Sequence, residues 1–126
     1  MDTLRQRLLW IDGIGALVVG AGFVLLAPWL ADLFGFSVGF TRLLGAVNLG
    51  YGSFSLPLAR AAVRPMWRLR ALAAANMAWG VVFAILIAQL WGEASVFGLL
   101  HLGLEGAYVA GLGALEWRWR EGLRTR

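Results

Sequence analysis

Four apolar runs of about twenty residues each dominate the chain and most constrain what it can fold into. They cover residues 8–29, 40–59, 69–91 and 95–117. A helix of about 20 apolar residues crosses the ~30 Å hydrocarbon core of a bilayer at 1.5 Å per residue. Hydrophobic residues make up 60% of the chain and charged residues only 14%, against about 25% charged in ordinary soluble domains. The sequence therefore predicts an all-α integral membrane protein, a four-transmembrane-helix bundle in one domain, residues 1–126.

The arginines predict the orientation of this bundle. All eleven basic residues are arginine, and ten of them lie at helix ends on one predicted side, which leaves Arg42 alone on the other. Positive residues beside membrane spans are retained in the cytoplasm, so both termini are expected there. Because the arginines flank apolar runs and form no patch interleaved with aromatics, the expected partner is the lipid bilayer and not nucleic acid.

The fourth run carries a polar stripe. At 100° per residue, His101, Glu105 and Tyr108 fall within a sector of about 60°, and Leu112 ends the stripe. An ionised carboxylate near the middle of a span costs about 2.5–3.5 kcal/mol on insertion scales, so Glu105 is expected to face protein and to be neutral, paired or hydrated. Two interpretations stay open: a functional acid, or an interhelical hydrogen bond worth about 0.6 kcal/mol.

The second run offers partners for this stripe. Asn48 and Tyr51 share one face of it, and Asn48 is expected at nearly the same depth as Glu105, because both helices run in the same direction across the bilayer. These two residues, with the three of the stripe, are the predicted ligand-binding or proton site.

A second polar layer is expected nearer the cytoplasm. Asp12 in the first run and Asn76 in the third occupy similar places in their helices. Asp12 lies about 6 Å inside the predicted helix end, so Arg5 or Arg7 is expected to pair with it.

The polar positions also predict an internal repeat of two helical hairpins. Asp12 in the first half matches Asn76 in the second, and the segment 48–51 matches 105–108. Both halves start on the same side, so the expected symmetry axis lies along the membrane normal.

Several kinds of chemistry are not expected. The chain has no cysteine and one histidine, which argues against a thiolate site, a catalytic triad and most metal centres within one chain. It also has no phosphate-binding loop. No catalytic residue and no metal ligand is predicted, the cofactor stays unknown, and an enzyme is the less favoured class.

The layout resembles a known group. Four short helices rich in Gly, Ala and Leu, an acid or amide early in the odd helices, and a closing Leu-Glu-Trp-Arg at 115–118 resemble small bacterial inner-membrane proteins of the DoxX-like kind. The resemblance implies a location in the bacterial cytoplasmic membrane and, for some members of the group, association with oxidoreductase systems.

Three functions are compatible with the sequence. The first is a binding or accessory protein that holds a lipid-like or quinone-like ligand, or a membrane subunit, through the polar layer. The second is a small homo-oligomeric proton-coupled transporter or channel that uses Glu105; it is similar in size to the small multidrug exporters, which carry their glutamate in the first helix. The third is a membrane enzyme with Glu105 and His101 as an acid-base pair.

Overall fold

The structure, a computed structural model, describes the backbone of residues 2–125 and the side chains of residues 7–125. Its helices are α1 (Asp2–Leu25), α2 (Ala27–Phe34), α3 (Val38–Arg60), α4 (Met66–Gln89), α5 (Val96–Arg118) and α6 (Arg120–Leu123). The prediction of an all-α fold is confirmed for this part of the chain.

Three helices are long and apolar enough to cross a bilayer: α1 from Arg7 onward, α4 and α5. α2 and α3 together meet the same criteria and count as a fourth span if the bent pair is taken as one. The chain is therefore a multi-pass membrane protein whose apolar helices contact lipid.

The first predicted span is divided in the structure. α1 ends at Leu25, and Trp29 lies in α2, whose axis is bent by 114° from that of α3. Pro28 accounts for the break, because proline has no N–H for a helix interior but is accommodated in a first turn, where α2 holds it. The prediction of one helix over 8–29 was therefore wrong at its C-terminal end, because α1 ends at Leu25.

The other three spans begin and end close to the predicted residues. Serine caps start two of them: the Ser37 hydroxyl accepts from the Phe40 N–H at 3.1 Å, and Ser95 accepts from the Gly98 N–H at 3.2 Å. The short helix α6 follows α5 and was not predicted. It is anchored by Leu123, which is buried, and by the buried guanidinium of Arg64, which donates to the Leu123 carbonyl at 2.9 Å.

The long helices associate as two hairpins. α1 packs along α3 and α4 along α5, whereas helices of different hairpins approach each other at few backbone positions. Glycines allow the close contact inside each hairpin: a Cβ on Gly20 would lie 2.8 Å from the Gly45 carbonyl oxygen, and one on Gly113 would lie 2.8 Å from the Ala73 carbonyl oxygen. We call the interface between the two hairpins the seam.

Two apolar clusters fill opposite ends of the molecule. At the end that carries α6, the α6 end, Leu9, Leu58, Leu69 and Leu112 pack together with Leu123. At the end that carries α2, the α2 end, Phe23, Leu44, Phe83 and Leu102 form the second cluster. The polar side chains of the spans lie between these two clusters.

Two glycines of α1 test the packing inside the first hairpin. Gly20→Ala should lower the free energy of unfolding by about 1–3 kcal/mol, because the added methyl group meets backbone of α3 that cannot move alone. Gly22→Ala is the matched control: nothing lies within 4 Å of its added Cβ, and alanine is the better helix former by up to about 1 kcal/mol. Thermal unfolding in mild detergent measures both; equal stability of the two variants would contradict the packing.

Candidate functional site

A first polar cluster, the Glu105 cluster, joins α3 to α5. The Asn48 side-chain amide donates to Glu105 Oε1 at 3.1 Å and to the Leu44 carbonyl at 2.9 Å. Glu105 Oε2 lies 2.6 Å from His101 Nε2, one helical turn away on α5. Both oxygens of this carboxyl group thus have a polar neighbour, and the expected pairing of Asn48 with Glu105 is confirmed.

Aromatic rings enclose the imidazole of His101. The ring of Phe34, from α2, stacks on it at 5.1 Å between centroids, and the ring of Phe23, from α1, lies 4.8 Å away. Phe34 is the last residue of α2, directly before the sharp bend between α2 and α3. The His101 side chain is only 20% exposed and that of Glu105 10%, so the pair lies in an apolar surrounding.

A second polar cluster, the Asp12 cluster, lies toward the α6 end and joins all four long helices. Asn76 donates to Asp12 Oδ2 at 3.1 Å and to Glu116 Oε1 at 2.6 Å. The Tyr51 hydroxyl also donates to Asp12 Oδ2, at 3.1 Å, and lies 3.4 Å from the Leu72 carbonyl. Asp12, Asn76 and Glu116 are each at most 2% exposed.

The hydroxyls of Tyr51 and Tyr108 bond to other partners than Asn48, His101 and Glu105, although both tyrosines line the same cavity as Asn48 and Glu105. The structure brings together Asn48, His101 and Glu105, but the phenol of Tyr51 extends to Asp12. The Tyr108 hydroxyl donates to the Ile11 carbonyl at 3.3 Å, and its side chain is partly exposed on the lipid-facing surface. A tyrosine carries its hydroxyl about one helical turn from its own Cα, which spacing along a helix does not reveal.

The neighbours of Asp12 differ from those expected. Arg7 is exposed and makes no ion pair with Asp12 within the described side chains, and the side chain of Arg5 lies outside the described residues. Asp12 accepts instead from Tyr51 and Asn76, inside the protein. Arg42 is exposed at the start of α3, a position compatible with its expected role as an interfacial anchor.

Glu116 is the member of the site that sequence reasoning missed. The stripe of the fourth span was expected to end at Leu112, but Glu116 follows Glu105 by eleven residues, three helical turns with a residual rotation of about 20°. The two acids therefore share one face of α5. The eleven-residue spacing was the signal that could have identified it.

A cavity of about 60 Å³ separates the two polar clusters. Asn48 and Glu105 line it at one end, and Asp12, Tyr51 and Asn76 at the other. The rest of the wall is mostly apolar and consists of Gly15, Ala16, Val19, Leu44, Val47, Trp79, Phe83, Tyr108 and Val109. The space is sufficient for a few water molecules or one small polar group, with hydrogen-bonding partners at both ends.

Four of the hydrogen bonds of these residues cross the seam. Asn48 to Glu105 and Asn76 to Asp12 each join one hairpin to the other, and the two tyrosine hydroxyls each approach a backbone carbonyl of the opposite hairpin. The arrangement can bind a polar group between the hairpins or hold a proton on a carboxyl group. Among the described residues, no group of three or more His, Asp or Glu side chains could hold a metal ion.

In comparisons with known proteins, no family model, no curated protein and no solved structure matches the chain.

Proposed function

We propose that the chain forms a four-span bundle of two equivalent hairpins, with both termini in the cytoplasm of a bacterium. The pairing of equivalent residues supports the repeat: Asn48 bonds to its counterpart Glu105, and Asp12 to its counterpart Asn76. Residues related by a twofold axis meet each other only beside that axis. The axis would therefore pass along the seam, through the cavity.

We further propose that the protein is a membrane binding or accessory protein. It holds the polar group of a lipid-like or quinone-like molecule in the seam, or meets another membrane subunit there. The observation that carries this proposal is the cavity, in which an amide, a carboxyl and phenol groups converge within an otherwise apolar wall. Few, well-placed polar groups in an apolar lining are typical of sites for apolar ligands.

Tyr108 offers a route for such a ligand from the bilayer. Tyr108 is 44% exposed. A Cβ added to Gly15 would lie 3.0 Å from the Tyr108 hydroxyl, so any side chain at position 15 would displace the tyrosine. One hydrogen bond, to Ile11, holds the phenol in place. A rotation of Tyr108 would widen the cavity toward lipid, and a ligand's apolar tail would remain between the hairpins.

A second candidate is a proton-coupled transporter or channel that uses Glu105. Carboxyl groups at both ends of a water-sized cavity favour it, because intramembrane acids that face a cavity commonly mark proton relays. It requires a homo-oligomer and a continuous path across the bilayer.

Glu105 variants separate binding from packing. Glu105→Gln should keep the fold, because the amide oxygen still accepts from Asn48, but should reduce ligand retention about 10- to 100-fold through loss of an interaction with an ionisable group, worth about 1.5–3 kcal/mol. Glu105→Ala should lose retention and about 1–3 kcal/mol of stability, because Asn48 and His101 lose their partner. Purification in mild detergent, followed by mass spectrometry of co-purified molecules and chains, measures retention.

Glu93→Gln is the matched control, because Glu93 is exposed in the α4–α5 turn and is not among the residues that line the cavity between the polar clusters. Equal retention by Glu105→Gln and wild type would contradict the binding role of Glu105. A wild-type homo-oligomer that carries no ligand and conducts protons in liposomes would favour the second candidate.

Single cysteines test the orientation in this thiol-free chain. Val63 is 72% exposed in the α3–α4 connection, and Glu93 is exposed at the opposite end. With both termini cytoplasmic, an impermeant thiol reagent should label Glu93→Cys in intact spheroplasts and should label Val63→Cys only after lysis. The reverse pattern would contradict the proposed orientation.

A further inference from the structure

The Asp12 cluster contains two acids that share one hydrogen-bond donor. Asn76 donates to Asp12 Oδ2 at 3.1 Å and to Glu116 Oε1 at 2.6 Å, so its amide brings together two carboxyl groups from α1 and α5, one in each hairpin. Asp12 is 2% exposed and Glu116 0%. Both carboxyl groups are therefore removed from water, where a charge without a partner is costly.

Their surroundings leave one carboxyl oxygen without a partner. Asn76 supplies its two N–H groups to Asp12 Oδ2 and Glu116 Oε1, and Tyr51 supplies its hydroxyl to Asp12 Oδ2. Glu116 Oε2 is buried and accepts no hydrogen bond from the described residues. Buried polar atoms normally have a partner, so this oxygen indicates a hydrogen or cation between the two acids.

None of the described close contacts between basic and acidic side chains involves either acid. In the part of the chain with described side chains, the close contacts between a basic and an acidic group are those of His101 with Glu105 and of Arg124 with Glu121. The titratable groups that face the two acids are Tyr51 of α3 and Tyr108 of α5, both phenols, and α4 contributes the neutral amide of Asn76. Two ionised carboxylates here would be adjacent like charges without compensation.

We propose that Asp12 and Glu116 are a binding site for one proton, shared between the two carboxyl groups. One acid keeps its O–H and donates it to the carboxylate of the other, so the pair carries a single negative charge that Asn76 and Tyr51 hydrogen-bond. A proton suits this site better than a metal ion, because two acids with no third acidic or histidine ligand in the described residues make a poor metal site. Since the acids belong to different hairpins, the shared proton also connects the two hairpins across the seam.

Infrared spectroscopy of the full chain tests the proposal through the carbonyl stretch of protonated carboxylic acids, identified by its shift in D₂O. At neutral pH, Glu116→Gln and Asp12→Asn should each remove the intensity of one acid per chain, because the remaining acid ionises beside a donating amide. The double variant should remove no more than either single variant. Glu93→Gln, the exposed control, should leave the band unchanged.

Two results would overturn the proposal. If no variant, single or double, loses intensity, both acids are ionised in the wild type and a cation compensates them. If the double variant loses twice the intensity of each single variant, every acid carries its own proton and none is shared.

A second measurement tests the shared proton if the variants of Asp12 and Glu116 fail to fold. In Glu105→Gln, the acid band that remains reports on the Asp12–Glu116 pair. Its persistence when choline is exchanged for Na⁺ or K⁺ at constant ionic strength supports the shared proton. Absence of the band, or its loss on addition of Na⁺ or K⁺, would contradict it.

Discussion

Hydrogen bonds between polar side chains connect the two hairpins across the seam. Lipid gives no hydrophobic drive for one hairpin to join another, so association relies on packing and on polar contacts. Inside each hairpin, glycines bring the backbones together, as Gly20 does against α3. Between the hairpins, where backbones are farther apart, Asn48 with Glu105 and Asn76 with Asp12 make the connection. The cavity lies in the space that remains.

The two polar clusters differ in their surroundings. Aromatic rings of Phe23 and Phe34 enclose His101 of the Glu105 cluster, and Asn48 and Glu105 line the cavity, where the proposed ligand would bind. The Asp12 cluster is more deeply buried and joins all four long helices. A ligand that displaces the first set of hydrogen bonds would leave the second in place, so the seam could open at one end without separation of the hairpins.

Much of the fold could be predicted from hydropathy and helical periodicity. The apolar runs locate α1, α3, α4 and α5, and equal depth in parallel helices predicts the contact between Asn48 and Glu105. The separate helix α2 was missed because Pro28 lies inside an apolar run, where composition alone favours continuation of the span. Glu116 was missed because Leu112 interrupts its stripe, and the contact of Tyr51 with Asp12 depends on the reach of a side chain. The cavity depends on distances between hairpins, which no periodicity encodes.

A double-mutant cycle across the seam measures whether Asn48 and Glu105 hold the two hairpins together. The free energies of unfolding of wild type, Asn48→Ala, Glu105→Ala and the double variant give the coupling between the two side chains. The account predicts a coupling of about 0.6–1.7 kcal/mol, the range of interhelical hydrogen bonds in membranes, and none between Glu105 and Ser53, whose hydroxyl donates to Leu49 within its own helix. Additive effects of Asn48→Ala and Glu105→Ala would contradict a seam held by these hydrogen bonds.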